Sequence, residues 1–235
     1  MKTVFITGAG RGLGLELTKV FLRNGWRVIA ACRNSKELPA DTAAVQNILA
    51  LDLDVTDQRS LEACAEKIKG TPVDVLINNA GIYDSASVDE ETVITSLPEI
   101  TKVFQVNSIG PKLVSEALLG NLQAGSEKLV VTISSSMGTY EMLDEYHAQH
   151  WPYCASKAAV NYIMTAFAKE HPEIKTSLIN PGWMKTAIGG KDAELEPSFS
   201  AEKIFALITD HTNKLRNTEL VDYEGSPIFK GSRNH

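Results

Sequence analysis

A tyrosine and a lysine stand four residues apart, at Tyr153 and Lys157, in a stretch with helical character. Residues at this spacing lie on one face of a helix, one turn apart. An isolated phenol has a pKa of about 10, which is poorly matched to proton transfer near neutral pH. A neighbouring ammonium would favour the phenolate and lower that pKa. The pair is therefore a candidate acid and base; an ordinary exposed helix pair is the alternative.

A glycine-rich segment carries the second chemical signal. The apolar run 2–7 leads directly into Gly8, Gly10, Gly12 and Gly14. Such glycines let the backbone turn sharply and approach a pyrophosphate, whose charge then lies at the N-terminus of the following helix. The spacing fits neither the G-x-G-x-x-G pattern nor the P-loop pattern. On this motif alone, a tight turn without a ligand remains the alternative.

The elements that must position these residues alternate along the chain. Apolar runs with strand character fall at 2–7, 27–32, 47–53, 73–77, 128–134, 174–180 and 218–223, and helical patterns fall at 12–24, 57–69, 98–120, 153–170 and 200–215. This alternation predicts an α/β fold, a single doubly wound domain over residues 1–235 with a parallel sheet of about seven strands and helices on both faces. Because the candidate motifs follow strand carboxyl ends, we expect them to meet in one crevice.

Six segments, in chain order, resemble the motifs of the short-chain dehydrogenase/reductase family. They are the glycine turn, Asn78 to Gly81 after the fourth strand, Asn107, Ser135 after the fifth strand, the Tyr153 and Lys157 pair, and Asn180 to Thr186 after the sixth strand. One such motif is weak evidence, but six in family order are not chance. The short length and the segment Asp222 to Gly225 are most similar to the small carbonyl-reductase and C-factor-like branch.

The resemblance implies a role for each polar residue of the crevice. Tyr153 would be the acid and base, and Lys157 would also hold the nicotinamide ribose. Ser135 would bind the substrate oxygen; Gly138, three residues later, favours it over the two adjacent serines. Asn107 would interrupt its helix and hold a water that links Lys157 to solvent. The expected reaction is hydride transfer to a carbonyl.

The resemblance also assigns the residues that would bind the dinucleotide. They are Gly8, Gly10, Arg11, Gly12, Leu13, Gly14, Arg33, Asp54, Val55, Asn79, Ala80, Gly81, Tyr153, Lys157, Pro181, Gly182, Trp183, Met184 and Thr186. For Asp54, which resembles the aspartate that contacts adenine, the alternative is a helix N-cap, for which Thr56 or Asp57 is the better candidate.

Residues at the end of the second strand favour NADP over NAD. NAD sites of this type place an acidic residue there for the ribose hydroxyls. This chain has Cys32 at that position, Arg33 beside it, and Arg11 in the glycine turn. Two guanidinium groups and no carboxylate suit a 2′-phosphate. The alternative is that the arginines are only solvated.

The substrate pocket is expected from two less patterned segments, 139–152 and 187–200. The interval between Ser135 and Tyr153 is longer than in most family members, so Tyr140, Tyr146, His150, Trp151 and Trp183 are candidate wall residues. Residues 187–200 are too few for the two-helix lid of larger relatives, which predicts an open pocket. His147 and His150 have no third ligand at a suitable spacing, so no metal is predicted.

Composition narrows the classes of partner. The chain has 235 residues, 43% of them apolar, and a net charge of −6, which argues against a nucleic-acid partner. No apolar run approaches the ~20 residues of a membrane span. Strand character from residue 2 and three cysteines without metal spacing lead us to expect a cytoplasmic protein with free thiols. Apolar positions on more than one face of helix 153–170 predict a homodimer or homotetramer, unless the neighbouring helix covers them.

Two functions follow. The first is an NADPH-dependent reductase of an aldehyde, ketone or quinone. The second is a regulatory or signalling protein of the C-factor type that binds a dinucleotide with little turnover. The complete set of Asn107, Ser135, Tyr153 and Lys157 favours the enzyme, because a sensor has no need of the tyrosine.

Overall fold

Seven parallel strands form one sheet in the computed structural model, which describes residues 1–83, 96–142, 150–210, 215 and 217–228. The strands are β1 (Thr3–Thr7), β2 (Arg27–Cys32), β3 (Ile48–Asp52), β4 (Val75–Asn78), β5 (Leu129–Ile133), β6 (Lys175–Asn180) and β7 (Leu220–Asp222). Their order across the sheet is β3-β2-β1-β4-β5-β6-β7. The predicted doubly wound α/β fold is confirmed.

The helices cover both faces of this sheet. They are α1 (Gly12–Arg23), α2 (Ala40–Ala43), α3 (Gln58–Lys67), α4 (Leu97–Phe104), α5 (Gly110–Ala117), α6 (Leu119–Ala124), α7 (Trp151–Glu170) and α8 (Pro197–Thr209). Residues of α1 and α8 share one hydrophobic cluster with Val4 and Ile6, whereas residues of α3, α5 and α7 share the other with Phe5. Successive side chains of β1 thus enter opposite layers, which is why its sequence is apolar throughout.

Chain order reverses between β1 and β4, which are neighbours in the sheet. Ligands of open α/β sheets bind at the carboxyl ends of the strands at this point. The two strand ends are joined by Thr7, whose hydroxyl oxygen accepts hydrogen bonds from the backbone N–H groups of Asn79 and Ala80, both at 3.0 Å. The glycine turn and the segment after β4 are therefore held against each other.

The helix predicted over 98–120 is interrupted, as the role that the resemblance gives to Asn107 implied. A π-helical turn, Gln105–Ile109, separates α4 from α5. The turn contains the buried Asn107, as the family resemblance predicted. Gly110, directly after this turn, lies against Val55 in the loop before α3. A Cβ on Gly110 would be 2.9 Å from Val55 Cγ2.

Local signals at helix ends agree with the structure. Helix α1 ends at Arg23, and Gly25 follows with a φ of +76°, the left-handed conformation that glycine adopts at low cost. Asp57 is the N-cap of α3, since its carboxylate accepts from the N–H groups of Arg59 and Ser60. No helix in the described ranges has the length and apolar character needed to cross a bilayer.

Candidate active site

The glycine turn is shaped by close contact between β1, α1 and the segment after β4. Gly8 and Gly12 have φ of +66° and +54°. A Cβ on Gly14 would lie 2.2 Å from the carbonyl oxygen of Gly8 and 2.5 Å from Asn79 Nδ2. Asn79 Nδ2 also donates to the carbonyl oxygen of Thr7 at 2.9 Å. The first turn of α1 can lie this close to the strand only because residue 14 has no side chain.

This turn fits a pyrophosphate. It opens at the N-terminus of α1, where Arg11 occupies the N-cap position and its side chain forms no capping hydrogen bond. The side chain of Thr186, after β6, reaches within 3.5 Å of the position of a Cβ on Gly12. Unpaired N–H groups and the helix dipole at such a site attract phosphate. The predicted dinucleotide residues after β1, β4 and β6 therefore line one crevice.

At the far end of this crevice, Cys32 ends β2 against the glycine turn. Its Sγ lies 3.5 Å from the position of a Cβ on Gly10 and donates to the carbonyl oxygen of Asn34 at 3.3 Å. Burial is the main cause of the raised pKa of this thiol. Arg11 and Arg33 are exposed, and neither guanidinium forms an ion pair or hydrogen bond with any residue that the structure describes. Both cations therefore have no close partner there, although the charge of Arg33 contributes to the lowered pKa of Asp54.

A carboxylate lies one strand away, at Asp52, the register partner of Cys32 on β3. Its Oδ1 accepts the N–H of Ser35 at 2.8 Å, and this hydrogen bond is the main reason that the pKa of Asp52 is lowered. Asp52 thus holds the loop after β2. It does not replace the acidic residue that NAD sites carry at the end of β2 itself.

Asp54 and Val55 follow β3, where the resemblance placed the adenine contact. Asp54 Oδ1 accepts from the backbone N–H and the hydroxyl of Thr56, at 2.9 and 2.7 Å. Burial alone would raise the pKa of Asp54, but these hydrogen bonds outweigh it and the pKa is lowered. Val55 is buried. Because Asp57 caps α3, the prediction that Asp54 is not the cap is confirmed, and its adenine contact stays a prediction.

Lys157 is a buried cation at the inner end of the crevice. Its Nζ donates to the carbonyl oxygen of Ile133 at 2.9 Å and lies 5.6 Å from the ring centroid of Tyr153. Burial lowers the pKa of Lys157 to about 8. The ring of Tyr153 is also buried, with 8% of its surface exposed. An exposed helix pair, the alternative reading of this spacing, is thereby excluded.

Asn107 joins the segment after β4 to the helix that carries Tyr153 and Lys157. Its Oδ1 accepts the N–H of Ile82 at 2.8 Å, and its Nδ2 donates to the carbonyl oxygen of Ile82 at 2.8 Å and to Ser156 Oγ at 3.1 Å. These bonds use both Nδ2 protons and one lone pair of Oδ1. The side chain is therefore a structural link between the segment after β4 and α7, and its role in holding a water stays a prediction.

The three consecutive serines after β5 have different surroundings. Ser134 donates its hydroxyl to Asn161 Oδ1 at 2.6 Å and is committed to α7. Ser135 Oγ accepts the N–H of Met137 at 3.1 Å, which leaves its proton for another acceptor. A Cβ on Gly138 would lie 2.6 Å from the backbone of Lys157, so this turn packs directly on α7. The partners of Ser134 and Ser135 favour Ser135 of these two.

The segment after β6 forms a short closed loop. Trp183 donates its indole N–H to the carbonyl oxygen of Gly189 at 2.7 Å, although 54% of its surface is exposed. Met184 pairs with Leu195 in an isolated bridge. Thr186 Oγ1 accepts the N–H groups of Ile188 and Gly189, both at 3.2 Å. Residues 181–196 contain no helix, but α8 begins at Pro197, inside the segment 187–200 that was predicted to be a loop.

The predicted wall residues before α7 are dispersed. Tyr140 is 90% exposed and Trp151, the first residue of α7, is 46% exposed. Tyr146 lies outside the described residues, as does His147. His150 stacks on Tyr83, and Tyr83 stacks on Tyr153. Sequence reasoning missed Tyr83; its position directly after the Asn79 to Ile82 turn was the available signal.

Comparison with known proteins places the chain in a family. The family model described as short chain dehydrogenase matches residues 2–196. The chain belongs to the short-chain dehydrogenase/reductase family of oxidoreductases, which confirms the resemblance seen in its motifs.

Relatives and solved structures agree on the branch. The C-signal of Myxococcus xanthus is 31% identical over 72% of this chain and 99% of its own length. The (+)-neomenthol dehydrogenase of Arabidopsis thaliana is 28% identical over 81% of this chain and 85% of its own. An NADPH-bound carbonyl reductase from chicken fatty liver superposes with a TM-score of 0.83 and 28% identity, over 97% of this chain and 98% of its own. The chain thus falls in the carbonyl-reductase and C-factor-like branch.

Proposed function

We propose that this protein is an NADPH-dependent carbonyl reductase that converts an aldehyde, ketone or quinone to an alcohol. The observation that carries the proposal is the buried ammonium of Lys157 beside the ring of Tyr153. Its Nζ lies 3.8 Å from the position of a Cβ on Gly81, in the segment that packs against the glycine turn. Burying a charged group costs free energy, and groups with pKa values perturbed in this way cluster at functional sites. The NADPH in the chicken carbonyl reductase supports the same cofactor here.

The residues of this chain divide the chemistry between them. NADPH, when bound, supplies the hydride. Ser135 donates a hydrogen bond from its hydroxyl to the substrate carbonyl oxygen and stabilises the charge that develops there, while keeping its own proton. Tyr153 transfers its phenolic proton to that oxygen. Lys157 stabilises the resulting phenolate through its charge and holds the nicotinamide ribose.

The substrate would lie between the two loops that border Tyr153. Trp183 on one side and His150 and Trp151 on the other present aromatic surface, and Tyr140 is available at the rim. Apolar and aromatic surface with a few polar groups is typical of small-molecule sites. The direct test is to follow NADPH oxidation at 340 nm with a panel of aldehydes, ketones and quinones; no turnover with any of them would contradict the proposal.

Cofactor preference can be reversed at one residue. We expect wild-type protein to bind NADPH at least about tenfold more tightly than NADH, since Arg11 and Arg33 can each form charge-assisted bonds with the 2′-phosphate. Cys32→Asp should reverse the preference by repelling the phosphate and accepting the ribose hydroxyls. Titration of protein fluorescence with each cofactor measures both affinities.

Cys32→Asn is the matched control, because it has the shape of aspartate without the charge and should retain NADPH preference. Arg33→Ala should also reduce the ratio of the NADPH affinity to the NADH affinity, because it removes one of the two cations that would contact the 2′-phosphate. Equal affinities of the wild type for the two cofactors would show that both arginines are only solvated surface.

The similarity to the C-signal keeps a second candidate function, a signalling protein that binds the dinucleotide with little turnover. The two candidates differ in whether Tyr153 must transfer a proton to a substrate. A signalling protein would bind NADPH without oxidising it. Measurable binding together with no turnover across the carbonyl panel would favour this second function.

We also propose that the chain forms a homodimer or homotetramer. Large apolar side chains are exposed on α4, the π-helical turn and α7: Leu97 by 74%, Ile109 by 45% and Tyr162 by 79%. A second copy would cover them, as isologous interfaces do. We expect the wild type to sediment at micromolar concentration with at least twice the mass of one chain, and Ile109→Glu to shift it toward the monomer. A monomeric wild type would contradict this prediction.

A further inference from the structure

Three aromatic rings form a tilted stack that ends on Tyr153. The ring centroids of Tyr153 and Tyr83 are 4.6 Å apart with an interplanar angle of 51°. Those of Tyr83 and His150 are 5.6 Å apart at 46°. Tilted and offset arrangements at such distances are the favourable geometry for aromatic pairs. Tyr83 thus contacts the Tyr153 ring from outside α7.

Tyr153 lies where its own helix constrains it least. It is the third residue of α7, and the N-cap His150 forms no side-chain capping hydrogen bond. The first turn of a helix lacks intrahelical partners for its N–H groups, and helix ends open at low free energy. Lys157, one turn later, is anchored to Ile133. Contacts from outside α7, the ring of Tyr83 among them, therefore contribute to the place of the phenol relative to the lysine.

The side chain of Asn107 binds both the backbone next to Tyr83 and the first turns of α7. Asn107 binds both backbone groups of Ile82, the residue before Tyr83. The same amide donates to Ser156 Oγ, and Ser156 donates to the carbonyl oxygen of Tyr153 at 2.7 Å. The ring that packs on Tyr153 and the backbone that carries it are thus both fixed to Asn107.

We propose that Tyr83 is a positioning residue whose ring orients the Tyr153 phenol for proton transfer. His150 stabilises the position of Tyr83 through its own ring contact. The proposal rests on the proposed reductase function. A displacement of about 1 Å in a reacting group can lower a rate by ~10²-fold. We therefore expect Tyr83→Ala to reduce kcat by about tenfold to a hundredfold, with the dissociation constant for NADPH unchanged.

The kinetic test compares Tyr83→Ala, which removes the ring, with Tyr83→Phe, which retains it. Tyr83→Phe should keep most of the wild-type kcat, because the stack depends on the ring. His150→Ala should lower kcat less than Tyr83→Ala, because His150 contacts Tyr83 and not Tyr153. Equal damage from Phe and Ala at position 83, or a wild-type kcat in Tyr83→Ala, would overturn the proposal.

Phe199 offers a matched control on the other face of the sheet. Its ring centroid lies 6.1 Å from that of Tyr223 and 5.3 Å from the Nζ of Lys203, so it too belongs to an aromatic pair near a lysine, although 44% of its surface is exposed. Phe199→Ala removes a comparable aromatic pair in α8. It should lower thermal stability without changing kcat.

A second readout needs no turnover. The chain has six tyrosines, so 13C labelling at Cζ gives few NMR signals, and the one lost in Tyr153→Phe identifies Tyr153. In the unliganded protein, Tyr83→Ala should shift or broaden the Tyr153 signal, whereas Phe199→Ala should leave it in place. An unmoved signal would overturn the proposed contact. If the wild type has no reductase activity while this signal moves, the proposed function fails and the positioning contact stands.

Discussion

Tyr153→Phe is expected to reduce kcat by ~10²–10⁴-fold, because it removes only the group that transfers a proton to the substrate oxygen. The buried ring remains and can still pack against Tyr83. The dissociation constant for NADPH should therefore stay within a few-fold of the wild-type value. Steady-state kinetics with the best carbonyl of the panel, together with a cofactor titration, measures both quantities.

The pattern of the two constants separates chemistry from folding. A folding defect would weaken cofactor binding as well as turnover, whereas loss of the proton donor affects turnover alone. Tyr162→Phe, the same substitution on an exposed tyrosine of α7, gives the background effect of removing a hydroxyl from this helix. A Tyr153→Phe variant with most of the wild-type kcat would refute the proposed mechanism.

Lys157→Met should abolish nearly all turnover and yet leave the protein at least as stable as the wild type at pH 7. The pKa of Lys157 is lowered by burial from 10.5 to about 8. This shift corresponds to a cost of about 3 kcal/mol for keeping the ammonium charged inside the fold. The substitution removes this cost, but loss of the hydrogen bond to Ile133 offsets about 1–3 kcal/mol of the resulting gain in stability. We expect a rise in Tm of up to about 6 °C.

The difference in stability between Lys157→Met and the wild type should change with pH in a defined direction. Between the folded pKa of about 8 and the unfolded value of 10.5, the unfolded chain binds more protons at Lys157 than the folded chain does. Wild-type stability therefore gains from this group as the pH rises through that window. The advantage of Lys157→Met should be largest below pH 8 and should shrink toward pH 10.5. Thermal unfolding of both proteins across this range tests it.

Lys112→Met is the matched control, since it replaces a lysine that the fold stabilises as a cation. Burial alone would lower the pKa of Lys112, but hydrogen bonds to Glu116 and Glu170 outweigh it and the pKa is raised. The same substitution there should lower Tm at pH 7. A wild type several degrees more stable than Lys157→Met at pH 7 would show that the ammonium has stabilising partners besides Ile133.

Much of the fold was predictable because its signals are local. The apolar runs predicted the seven strands of the sheet, and β2 was predicted to the residue, at Arg27–Cys32. A strand buried on both faces must be apolar throughout, so its sequence identifies it without knowledge of its neighbours. The periodicity of 98–120 does not mark the π-helical turn, which only the resemblance of Asn107 to a family motif predicted. That turn depends on Asn107 and Gly110, whose partners are distant in sequence.

The sequence by itself determined which groups could do chemistry. The spacing of Tyr153 and Lys157 is a property of one helix, and the glycine turn is a property of one strand–helix connection. Both hold in any fold that forms those elements.

Only the tertiary structure decided the environment of those groups. Burial of Lys157 against Ile133 lowers its pKa, and the ring of Tyr83 packs on Tyr153. Asn107 joins the two through Ile82 and Ser156. These contacts connect β5, the segment after β4, the π-helical turn and α7. No local pattern reports them, because desolvation and packing depend on which elements the whole chain brings together.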